Sequence, residues 1–192
     1  MDYVVLGLLC CVLPIVLPLG IWLIVSYNTF VRQLNGVHTA WRQVDVELQR
    51  RHDLIPNLVE TVRGAAAHER TTLQRLVEAR NGAIAARAAH AGAGAQSHVE
   101  QQLAGALTGV FGVAEAYPQL RANRNFLHLQ HQLSEAEDRL AAGRRFYNGN
   151  VREYNTRIES FPSNMVAKMG GFHPAAFFQV EQVHVRAVPR AY

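Results

Sequence analysis

Charge is missing from the first part of this 192-residue chain: between Asp2 and Arg32 no side chain is acidic or basic. That absence excludes an ordinary solvated helix there, since a surface helix carries a charged face. Val4 to Val25 is dominated by Val, Leu and Ile, a run long enough to cross a bilayer. Cysteine is also scarce: Cys10 and Cys11 are the only two, both inside this run. They exclude a disulfide framework and read as apolar filler. A cleaved leader fits poorly. Asp2 is the only charge before the run, the run exceeds a leader's apolar core, and no small-x-small site follows. Leu9 stands before Cys10 where lipoprotein processing wants a small residue. A retained transmembrane helix over residues 1–30 is therefore expected, touching lipid through residues 4–25, with Pro14 and Pro18 tolerated inside it.

Lysine is nearly absent as well, Lys168 being the only one, so the net charge of +4 comes from arginine. Arg32, Arg42, Arg50 and Arg51 all follow the apolar run. The positive-inside rule then predicts a single-pass protein of the inner (cytoplasmic) membrane, N-terminus outside and C-terminal domain in the cytoplasm. No basic tract carries interleaved aromatics, so nucleic acid is not an expected partner.

Reactive constellations are missing too. No serine or cysteine pairs with a base, and Gly-x-Gly in AGAGA lacks the strand and helix that phosphate binding needs. A di-iron or heme bundle repeats ligands on facing helices; the one Glu-x-x-His pair is Glu181 with His184, near the chain's end. His128, His131 and Glu135 share a helical face and form the alternative, a ligand- or metal-binding bundle. The favoured reading has no catalytic residue, no metal and no cofactor.

What is present is helical periodicity. Tyr27, Phe30, Leu34, Val37, Trp41, Val44 and Leu48 alternate by three and four, a helix seam with a heptad period. A second seam runs from Ile55 through Leu58, Val62, Leu73 and Leu76 to Ile84, and fades into AARAAHAGAGAQSH, which reads as a flexible connection. Val99, Leu103, Leu107, Val110 and Phe111 make a third. In the fourth, Phe126, Leu133, Leu140, Tyr147, Tyr154 and Phe161 recur every seventh residue, Pro118 fits its first turn and Pro162 ends it. An antiparallel four-helix bundle buries all four stripes. The expected division is an N-terminal transmembrane helix at 1–30, a helical bundle at 31–164 and a tail at 165–192 packed on the bundle through Phe172, Phe177 and Phe178.

Residues 50–57, RRHDLIPN, are expected to reverse the chain between the first two seams, with Asp53 as N-cap and Pro56 in the first turn that follows. Arg50, Arg51, Asp53 and Asn57 then form a candidate interaction site, side-by-side guanidiniums being suited to carboxylates. Tyr147 with Asn148 and Tyr154 with Asn155 repeat a seam tyrosine beside an edge asparagine. Their amides are expected to bond a neighbouring helix and, with Trp41, Pro56 and Pro118, to serve structure.

These stretches resemble the LemA family: Tyr27 with Asn28, W-x-x-V-D-V-x-L-x-R-R-x-D-L-I-P-N-L-V-E from Trp41 to Glu60, AYPQLRAN from Ala116 to Asn123, RRFYNGNVREYN from Arg144 to Asn155, and FPSN from Phe161 to Asn164. The resemblance implies one N-terminal membrane helix with a short outside N-terminus and a bacterial cytoplasmic bundle of long, coiled-coil-like helices. It brings no established catalytic residues, and relatives in magnetosome membranes point to membrane-associated assembly. Ala65, Gly143 and Gln179 depart from the family pattern in packing or charge. The function expected is a membrane-anchored, non-enzymatic scaffold or self-assembling module, forming a homo-oligomer or engaging an unidentified protein partner.

Overall fold

The structure, a computed structural model, describes residues 2–66 and 68–179, without the side chains of 2–12 and 15. Its elements are α1 (Asp2–Ala65), α2 (Arg70–Ala88), α3 (Ala93–Ala116), α4 (Pro118–Arg121), α5 (Arg124–Glu159) and α6 (Ser163–Met169). Among the described residues no helix is long and apolar enough to cross a membrane. The side chains of 4–12 and 15 in the expected span lie outside the description, and Glu181, His184 and the end of the tail lie outside the described residues.

The chain divides into two compact units, residues 1–39 with 149–175 and residues 40–148 with 176–192. In the first, the Phe30 ring meets the Tyr154 edge at 6.3 Å between centroids and stacks on Phe172 at 5.0 Å. The Arg157 guanidinium lies 5.3 Å over the same ring. Gln33 donates to Glu153 at 3.0 Å, so α1 and α5 run antiparallel there.

In the second unit α1, α2, α3 and α5 line one apolar core, with Ile55, Leu58, Leu76, Leu103 and Val110 fully buried in it. Contacts alternate in direction. Arg87 and Arg80 of α2 reach Asp45 and His52 of α1, and Gln96 and Gly109 of α3 lie by Ala83 and Thr72 of α2. Phe111 of α3 meets Phe126 of α5 at 6.2 Å. This is the up-and-down course of a helical bundle.

The expected reversal at RRHDLIPN is absent. α1 runs unbroken through Pro56 to Ala65, and the next helix begins only at Arg70. Proline inside a helix removes one hydrogen bond and frees the carbonyl four residues back. Here that carbonyl belongs to His52, and it accepts from Arg80 Nε at 2.7 Å. A tertiary donor replaces the missing local one, so the helix continues.

Two further expectations change. Most of AARAAHAGAGAQSH is helical, because its alanines favour helix; the connection shrinks to residues 89–92 between α2 and α3. Pro118 opens the short α4, while α5 begins at Arg124 with Asn123 Oδ1 accepting from the Asn125 and Phe126 N–H groups at 2.9 and 3.3 Å. Asparagine is a strong capping residue, which places the helix start there.

Candidate functional site

Arg51 and His52 lie inside the second unit, each only 1% exposed. From α3, Glu100 and Gln96 enter the same space at 0% and 1% exposure. Arg51 donates through Nη2 to Glu100 Oε2 and through Nη1 to Glu137 Oε2 of α5, the latter at 2.8 Å. His52 Nε2 pairs with Glu100 Oε1 at 2.9 Å, and Gln96 Nε2 donates to the same oxygen at 2.8 Å and to the Ala83 carbonyl at 3.2 Å. Four helices thus converge on one polar cluster.

The physics of the cluster centres on Glu100. Burial by itself raises a carboxyl pKa, but the His52 hydrogen bond, the charges of Arg51 and His52 and the Gln96 amide outweigh it and hold Glu100 below its ordinary value. Arg51 is therefore matched by ionised carboxylate, which a buried guanidinium requires. Arg51 Nε, His52 Nδ1 and Gln96 Oε1 are buried without a hydrogen-bond partner among the described residues. Such a network fits one alignment of the helices, since a shift of one residue along any of them would separate charges that water cannot reach.

Arg50, Asp53 and Asn57 face outward on α1, Arg50 half-buried and the other two exposed. Arg50 and Asp53 line an open depression with Val46, Gln49 and Leu54. The four residues of the candidate interaction site therefore divide: Arg51 points into the bundle, the others to its surface.

The repeated tyrosine–asparagine pairs serve the tail. In the first unit Tyr154 is buried on Phe30, and the Asn155 amide accepts from the Ala175 N–H and donates to the Ala175 carbonyl, both at 2.9 Å. In the second, Trp41 packs on Tyr147 at 5.2 Å and on Phe178 at 5.4 Å. Tyr147 donates to the Ala176 carbonyl at 2.8 Å, and Asn148 binds both main-chain groups of Phe178 at 2.9 Å. The amides hold an extended segment, where a neighbouring helix was expected. Burial raises the pKa of Tyr147 and of Tyr154, which keeps both hydroxyls protonated.

His128 and His131 are exposed, and His131 lies 3.7 Å from a half-buried Glu135. Among the described residues no three His, Cys, Asp or Glu side chains are placed to hold a metal ion. The residues missed by sequence reasoning are Gln96, Glu100, Glu137 and Arg80. A signal existed for two of them: Gln96 and Glu100 are four apart and continue the stripe of Leu103, Leu107 and Val110, a place where polar side chains need partners.

The LemA family model matches residues 40–191. The chain is similar to Magnetosome protein MamQ 2 of Paramagnetospirillum magneticum, 28% identical over 179 residues, covering 82% of this chain and 66% of that protein. It is 24% identical to Magnetosome protein MamQ of Magnetospirillum gryphiswaldense over 81% of this chain and 65% of that protein. With Protein LemA of Metamycoplasma hominis it shares 25% identity over 90% of this chain and 78% of the relative. The chain thus spans just under two thirds of the magnetosome proteins' length.

Proposed function

This chain belongs to the LemA family, and from that premise we propose that it is a membrane-anchored, non-enzymatic scaffold whose bundle self-associates or recruits a protein partner. The observation that carries the anchor is a bare apolar surface. Along α1, Leu13, Val16, Leu17, Leu19, Ile21, Trp22, Ile24 and Val25 are 36% to 63% exposed. An uninterrupted surface of this kind is costly in water and at home in lipid. Residues 4–25 as helix extend about 33 Å, enough for a bilayer core. The exposed Arg32 and Arg42 beyond them favour the cytoplasmic side.

The buried cluster supports a structural role for RRHDLIPN, because the charges of Arg51 and Glu100 are matched and shut off from solvent, with Glu137 half-buried beside them. Recruitment then falls to the outer face of the same helix, where Arg50 and Asp53 line a depression with Val46, 64% exposed, and the exposed Asn57 follows one turn on. The naming of two relatives as magnetosome proteins fits a membrane-associated assembly role.

Alkaline carbonate washing of membranes tests the anchor. The full chain stays with the membrane, whereas Leu13→Arg with Leu17→Arg, each costing about 2.5–3.5 kcal/mol near the span's centre, moves it to the soluble fraction. Release of the unaltered chain by carbonate would overturn the proposal.

A further inference from the structure

Trp41, Ser97, Tyr147 and Asn148 make a cradle occupied by the extended residues 176–179. Every polar contact in it is to main chain. Tyr147 donates to the Ala176 carbonyl, Asn148 accepts from the Phe178 N–H and donates to the Phe178 carbonyl, and the Ser97 hydroxyl accepts from the Gln179 N–H and donates to the Gln179 carbonyl. A helix cannot satisfy these groups, because its own N–H and C=O groups are already paired along the helix. Only extended chain presents both groups of one residue to one side-chain amide. A single side chain is read: Phe178 is fully buried against Trp41, while Phe177 is 37% exposed and Ala176 and Gln179 are exposed.

We infer that this cradle is a receptor for an extended segment bearing one aromatic side chain, and that in assemblies of this protein it takes residues 176–179 of a second copy in place of its own. A second copy meets both demands, main chain and aromatic ring, without any change in the cradle. Exchange remakes every contact of the cradle, so within it little is lost, and its extent depends on local concentration. The chain's own tail competes at an effective concentration of order millimolar, and confinement of copies to a membrane raises the competing concentration. The inference rests on the membrane-associated self-assembly proposed above and names the segment that would join copies.

Two differently tagged full-length copies, co-expressed in membranes, test it. One carries the photo-crosslinking residue p-benzoylphenylalanine at Gln179, whose side chain is exposed and whose main chain makes the Ser97 contact. After illumination, exchange yields a product bearing both tags, joined near Ser97 of the unlabelled copy. Asn148→Ala in the unlabelled copy removes two hydrogen bonds and lowers that yield roughly tenfold. Crosslinks only within the labelled copy, with native mass spectrometry still finding dimers, overturn tail exchange and leave self-assembly standing. Internal crosslinks together with monomers alone overturn both.

Discussion

Arg80 Nε donates to the main-chain carbonyl of His52 at 2.7 Å, and that carbonyl is the one Pro56 leaves without a helical partner. An interior proline costs a helix about 3 kcal/mol; a charged donor from the neighbouring helix offsets part of that cost. α1 can therefore pass straight through a sequence that carries the local marks of a turn.

Arg80→Leu leaves a buried carbonyl unsatisfied and is expected to destabilise the chain by about 1–3 kcal/mol. Pro56→Ala restores the helical N–H, so the same Arg80 change should then cost much less. Chemical denaturation in mild detergent of both single variants and the double variant measures this coupling. Strictly additive costs would show that Arg80 does not substitute for the missing bond.

The two arginines of RRHDLIPN separate sharply in stability. Arg51→Met strands the carboxylate of Glu100 in the interior and is expected to cost about 3–5 kcal/mol. Arg50→Gln, half-buried at the surface, should cost less than about 0.5 kcal/mol. Equal effects on the denaturation midpoint would contradict the full burial of Arg51 and the surface position of Arg50.

Acid should weaken the bundle through Glu100. Its folded pKa is lowered, so its ionised form contributes stability that is fully present above the ordinary value of 4.5 and is lost as pH falls through the folded value. The window therefore lies below pH 4.5, where Arg51, His52 and Gln96 face a carboxyl gaining a proton. Glu100→Gln is expected to lower stability at neutral pH and flatten the acid limb of a stability-against-pH curve. An unchanged acid limb would assign the loss to other carboxylates.

The seams were legible in the sequence because apolar spacing alone carries them. Phe126, Leu133, Leu140, Tyr147 and Tyr154 are all buried, as are Phe30, Val37, Val44 and Leu48. Phe161 continues the heptad yet is 80% exposed, since α5 ends two residues before it. The turn was misplaced because Asp53 and Pro56 are local signals, whereas the donor that overrides them comes from a residue in another helix. At the true reversal the local sequence is weak: Gly64 followed by alanines, which favour helix. The buried cluster was half visible. Arg51 and His52 stand out in the motif, but their burial follows only once Glu100 and Glu137 arrive from two other helices. The tyrosine–asparagine repeat was expected to bond a neighbouring helix and instead holds the tail, whose sequence has no period to read.

Phe178→Ala removes the one fully buried side chain of the tail segment 176–179, and truncations of this size cost about 3–5 kcal/mol. Release of the tail should follow, seen as faster limited proteolysis in that segment while α3 and α5 remain protected. Equal proteolysis rates for the variant and the unaltered chain would mean that Asn148 and Ser97 hold the tail without the ring.

The central claim is that this LemA-family chain works by assembling at a membrane. Native mass spectrometry of the full chain, released from membranes in mild detergent, tests it most directly. The account predicts species containing more than one copy, or one copy with a protein partner, that diminish on Arg50→Gln with Asp53→Asn at the outer face of α1 while the fold persists. A lone monomer at every protein and detergent concentration would contradict it.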